Sequence, residues 1–207
     1  DISISSTWTV PSGTTTLDLN GHNITMTGNS GSVIYLNGSG VNLTIKDSVG
    51  MGTITGAKQG IEQCGGGICV LNGATLTMEG GNISGNKSEV GGGIGIKNAI
   101  AILKGNVKIT NNQTTTGGHG GGVYIYGNSS ELHISGNVEI TGNAAGSMGG
   151  GVHNAESGTI FLSGAPIIKN NTADKGTGIV VEHLLTIEGE LTGNNRDINI
   201  YPEFLLL

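Results

Sequence analysis

Four triple glycines punctuate the chain, Gly65-Gly66-Gly67, Gly91-Gly92-Gly93, Gly120-Gly121-Gly122 and Gly149-Gly150-Gly151, with Gly176-Thr177-Gly178 as a worn fifth copy. The intervals between them are 26, 29, 29 and 27 residues. A short segment follows each one, with its alternate residues at Ile68/Val70, Ile94/Ile96, Val123/Ile125, Val152/Asn154 and Ile179/Val181. A second alternating segment places Leu76/Met78, Leu132/Ile134 and Ile160/Leu162 inward. A third closes each unit as ISGN at 83–86, ITNN at 109–112, ITGN at 140–143, IIKNN at 167–171 and LTGNN at 191–195. GTITGA at 52–57 supplies an earlier copy of that third segment.

Apolar residues two apart share one side of a strand, whereas a helix would need them three and four apart. A period near 27 residues is too short for a propeller blade of about 40–45, and the frame of a leucine-rich repeat is missing. The spacing therefore predicts an all-β solenoid with three short strands per coil and about seven coils. Each strand pairs in parallel with its counterpart one coil above and below. Residues 1–207 read as one domain. Its first coils lie in TTTLDLNGHNITM at 14–26 and SVIYLNGSGVNLTIKD at 32–47. Residues 1–13, which hold the single Trp8, are expected to form an N-terminal edge or cap, and 196–207 a C-terminal edge. An opening of Asp1-Ile2-Ser3 reads as a piece of a longer protein, its flanking domains being natural partners.

Composition narrows the alternatives. Glycine accounts for 40 of 207 residues but proline for only 3, which excludes collagen and Pro-rich linkers. Charged residues make up 12% and the apolar fraction is 35%, the opposite of the high-charge signature of disorder. A net charge of −6 without a Lys/Arg cluster argues against a nucleic-acid partner. No run of 18 apolar residues predicts a membrane span.

The glycine triplets are expected at corners, where positive φ and close backbone approach are needed. Asn86, Asn112, Asn143, Asn171 and Asn194 end the third segments, and stacked coil on coil they predict a hydrogen-bonded corner ladder. Asn readily enters the left-handed region, so these residues are expected to supply it themselves. For Cys64 and Cys69, five apart across three glycines, an unpaired state, a local disulfide and a share in a metal site all remain open.

Chemistry is sparse. The carboxylates are scattered, and Glu131 and Glu139 fall on different strands of their unit. No Asp-x-Asp calcium motif, nucleophile elbow or phosphate loop is present, so no catalytic residue, metal or cofactor is assigned. The outward column of the first strand reads Cys69, Gly95, Tyr124, His153, Val180, one strip of surface with coils about 4.8 Å apart. Tyr124, Tyr126 and His153 on that strip are the expected ligand contacts. His133 lies outward on the second strand, away from His153, in a column read as Thr77, Leu103, His133, Phe161. His119 sits at a corner. Thr53/Thr55 and Thr75/Thr77 read as hydroxyl pairs without continuation along the solenoid.

Three stretches, Gly-Gly-Gly-Val-Tyr-Ile, Leu-Thr-Met-Glu-Gly-Gly-Asn-Ile-Ser-Gly-Asn and Leu-Asp-Leu-Asn-Gly-His-Asn-Ile, resemble the right-handed parallel β-helix (pectin-lyase-like) repeats of bacterial and archaeal adhesin-like surface proteins. More distantly they are similar to polymorphic outer-membrane protein passengers. Those carry Gly-Gly-Ala-Ile and Phe-x-x-Asn where this chain has Gly-Gly-Gly-(Ile/Val) at 91–94 and 120–123 and Ile83-Ser84-Gly85-Asn86. The resemblance implies a right-handed coil and a secreted or cell-surface module. Its role would be adhesion to a host or cell-surface glycan or matrix protein, or service as a rigid stalk. The alternative is part of a polysaccharide lyase or glycoside hydrolase built on the same coil.

Overall fold

The structure, a computed structural model, describes residues 1–60, 64–191 and 200–202. Strands and turns account for the regular structure of these residues, and no helix occurs among them. Three long parallel sheets of seven, eight and seven strands stack into a β-solenoid of about six turns. The sheets form three faces. The first face runs from Trp8–Thr9 and Ile34–Asn37 through the strands after the glycine triplets, Ile68–Leu71, Ile94–Lys97, Val123–Tyr126 and Val152–Asn154, to Ile179–Val181 and Ile200–Pro202. The second runs from Gly13–Asp18 and Val41–Lys46 to Leu184–Leu191, and the third from Ile2–Ile4 to Ile167–Lys169.

Side chains at alternate positions point into the bore and stack like on like. On the third face Ile24, Ile54, Ile83, Ile109, Ile140 and Ile168 are in register from coil to coil and all buried. On the first face Ile34, Ile68, Ile94, Val123, Val152 and Ile179 form the matching column. Each such β-branched residue contributes about 1.5–3 kcal/mol on full burial. That repetition, rather than any large aromatic core, holds the coil together.

The asparagine ladder is present and buried. Asn86, Asn112 and Asn143 each donate from backbone N and from Nδ2 to the side-chain oxygen of the next ladder residue, at 2.9–3.1 Å. Each Nδ2 also donates back to a carbonyl of the preceding coil, Ile54, Ile83 and Ile109 in turn, and Asn171 Nδ2 does so to Ile140. Asn194 lies outside the described residues.

One expectation about this corner is corrected. The residue in the left-handed region is the one before each ladder asparagine: Gly85 (φ 67), Asn111 (φ 55), Gly142 (φ 68) and Asn170 (φ 56). That twist turns the next side chain into the bore. A fourth, shorter sheet, absent from the sequence reading, follows the ladder in the middle coils as Lys87–Ser88, Gln113–Thr116 and Ala144–Gly146.

Two further expectations change with the register. Ile102 rather than Leu103 stands beside Thr77 and His133, and Leu103 is buried between Met78 and Ile134. The hydroxyls of the third face are also continuous after all. Ser3, Thr25, Thr55, Ser84, Thr110 and Thr141 occupy one outward column on successive coils. Thr110 Oγ1 donates within it to Ser84 Oγ at 3.2 Å. On the second face Thr16, Thr44 and Thr77 are in register, but that column ends there as expected, because Ile102 follows Thr77.

Candidate binding site

The outward column of the first face is Tyr35, Cys69, Gly95, Tyr124, His153 and Val180, in the register expected. It is not the open strip that the alternation suggests. Cys69, Gly95, His153 and Val180 are buried, whereas Tyr124 and Tyr126 are partly exposed. The reason is the glycine corner. Before each triplet the chain doubles back across the outer side of the face, so a Cβ on Gly149 would lie 2.6 Å from His153 Cβ. On Gly120 it would lie 2.9 Å from Tyr124 Cα.

At the N-terminal side of the column Cys64 and Cys69 are joined by a disulfide. It packs with Leu71 and Tyr35 into a small apolar cluster outside the main core. Cys64 Sγ also contacts Gly95 O at 3.4 Å, which pins the corner to the neighbouring coil. Of the three states open from sequence, the disulfide is the one formed. No cluster of three or more His, Cys, Asp or Glu suited to a metal occurs among the described residues.

Beyond the disulfide the face opens into a notch of about 210 Å³ lined by Cys64, Val90, Gly95, Ile96, Lys97, Tyr124 and Tyr126. Tyr124 and Tyr126 form one wall, their rings near-parallel at 10° with centroids 6.2 Å apart. Both belong to Val123–Tyr126 and alternate outward from it, which is why they stand side by side. Lys97, one coil before, is the register partner of Tyr126 and holds its ammonium 5.3 Å from that ring's centre, a cation–π contact.

Behind Tyr124 lies a polar cluster. His153 Nε2 donates to Glu182 Oε1 at 2.8 Å, and the His153 side chain is only 3% exposed. Its ring stands 5.6 Å from Tyr124 and 5.0 Å from His119. His119 Nδ1 is buried with no hydrogen-bond partner among the described residues. Burial, with the Glu182 charge second, pushes the Tyr124 phenol up to about 12, so it remains a protonated donor across the physiological range.

The three expected contact residues are therefore adjacent but unequal. Tyr124 and Tyr126 reach the notch, while His153 sits beneath Tyr124 and reaches it only through that ring. His119 joins this group, although its corner position gave no sign of it. The signal missed was the fold-back before each triplet, which carries residue 119 over the following strand. Lys97, also missed, was legible as the residue one register step from Tyr126. On the second face His133 stacks on Phe161 at 4.4 Å and takes no part.

Another depression, about 580 Å³ between Asp47 and Lys108, is lined by charged groups that are already engaged. Asp47 accepts from Gly21 N and Gly52 N, Glu79 pairs with Lys104, and Lys108 pairs with Glu139. No protein-family model, curated protein or solved structure matches the chain.

Proposed function

We propose that this chain is a non-catalytic extracellular β-solenoid module, an adhesive or stalk element of a secreted or cell-surface protein of the adhesin-like kind. The observation that carries the adhesive reading is the Tyr124–Tyr126 wall facing a small notch. Paired phenols offer a flat apolar surface with polar tips, which suits the C–H face and hydroxyls of a sugar. The long hydrogen-bonded faces suit a rod that holds such a surface away from its anchor. The Cys64–Cys69 disulfide agrees with an oxidising compartment. The proposed partners are a host or cell-surface glycan or matrix protein and the flanking domains of a longer chain.

A second reading, a carbohydrate-active enzyme, has one observation in its favour: the His153–Glu182 pair beside Tyr124. The side chain of His153 is almost fully enclosed and its Nε2 is held by the carboxylate, a poor arrangement for proton exchange with a substrate in the notch.

The test is a surface-binding panel of immobilised glycans and matrix proteins, with the supernatants checked for released oligosaccharides. Saturable binding is expected, reduced at least about tenfold by Tyr126→Ala, with an unchanged far-UV spectrum. Released product would replace the adhesive reading with the enzymatic one. Binding that survives both Tyr124→Ala and Tyr126→Ala would move the site elsewhere.

A further inference from the structure

We infer that the notch selects an acidic saccharide unit, a pyranose whose carboxylate is received by Lys97; this rests on reading the Tyr124–Tyr126 wall as a sugar contact. Size comes first. About 210 Å³ is below the roughly 300 Å³ at which pockets begin to enclose drug-sized ligands, so one ring or chain end fills it. Charge follows. The chain has nine basic residues against fifteen acidic ones, and Lys46, Lys104 and Lys108 are each spent on a carboxylate of the chain, Asp18, Glu79 and Glu139. Lys97 instead rests over the Tyr126 ring, with no carboxylate within ion-pair distance among the described residues. Lys97 lines the notch beside Gly95 and Ile96 and is exposed, so it is open to an anion entering there, by an attraction that added salt screens.

Orientation is fixed by the charges around the wall. Glu156 and Glu182 act on Tyr124 from the C-terminal coils, whereas Lys97 lies one coil toward the N-terminus. An acidic sugar is therefore repelled at one end of the wall and attracted at the other. Its carboxylate points to Lys97, its apolar face lies on the tyrosines, and a ring oxygen or hydroxyl accepts from the protonated Tyr124 phenol. The lysine ammonium is a compact, strongly hydrated point charge, and a carboxylate concentrates its charge on two oxygens where a sulfate ester spreads it over three, so the carboxylate is the better partner.

The experiment is a calorimetric titration of the whole chain with three short oligosaccharides of one backbone. One carries a uronic acid, one is its carboxyl-reduced neutral form, and one is that neutral form sulfated. The acidic form is expected to bind at least about tenfold more tightly than the neutral one, a preference that shrinks with added salt. Lys97→Gln should erase the preference and Lys97→Arg should keep it. Tyr126→Ala should weaken all three. Equal affinity for acidic and neutral forms, or a preference that survives Lys97→Gln, overturns the inference while leaving the tyrosine wall as a neutral-sugar site. Tightest binding of the sulfated form overturns the choice of carboxylate. Absence of binding by any form, unchanged by Tyr126→Ala, overturns this inference together with the saccharide reading beneath it.

Discussion

Asn143 is bonded on both sides. Its amide donates to Ile109 O in the coil before and to Asn171 Oδ1 in the coil after, while its own oxygen accepts from Asn112 N and Nδ2. Asn143→Ala leaves several buried partners unsatisfied at once, and a loss of roughly 2–4 kcal/mol is expected in denaturant unfolding. Asn143→Asp keeps the acceptor and removes both donors, so its cost should be of similar size. The recurrence of Asn at this corner was legible in the sequence; which residue carries the left-handed turn was not read, although the signal was there. The preceding position holds only Gly or Asn, at 85, 111, 142 and 170, the two residues that tolerate it. Tyr124 gives a second residue-scale expectation. Its phenol is held protonated in the folded state to about pH 12, against an ordinary value of 10.0. Because the folded form keeps its proton longer, the associated stability is intact below about pH 10 and is lost as pH rises through 12. Absorbance titration should show a late-ionising tyrosine that Tyr124→Phe removes.

Among the elements, the glycine triplet is the most demanding. A Cβ on Gly121 would lie 2.5 Å from Gly150 O and one on Gly122 2.6 Å from Gly151 O, backbone that cannot yield. Gly121→Ala should therefore cost several times the roughly 1 kcal/mol of an ordinary glycine replacement, with the loss of protection in hydrogen exchange centred on 119–126 and 148–154. The triplets and their spacing made the coil readable because the side-chain period of two and the repeat period were both visible. Register failed where the pattern is degenerate. Ile100-Ala101-Ile102-Leu103 is apolar throughout, so alternation offers two phases, and the turn at Asn98 (φ 49) with buried Ala99 decides between them. The hydroxyl column was hidden for a related reason. Its members are a mixture of Ser and Thr separated by coils of unequal length, yet each from Thr25 onward follows the buried Ile of the third segment. Burial of the outward strip was beyond the local pattern, because it depends on chain folded back from the corner.

The molecule as a whole is a stack in which each coil touches its neighbours and little else, so perturbations should stay local. Cys64→Ser with Cys69→Ser tests this. Opening a loop this short should cost about 2 kcal/mol in the chain-entropy account. Hydrogen exchange should rise in the coils that contain Tyr35, Cys69 and Gly95 and stay unchanged around Ile168 and Ile179. The stacking has a mechanical side as well. Backbone hydrogen bonds of all three faces run from coil to coil along the axis, through pairs such as Ile34 with Ile68 and Ile68 with Ile94. A load pulling the two ends apart meets them at the outermost coil first, a few at a time, rather than all together in shear. Such a rod pays out its length in steps, each freeing one coil of chain, on the order of 90 Å at about 3.4 Å per residue. Under tension at a surface it would act as a shock absorber, lengthening one winding at a time while the remaining windings keep their shape.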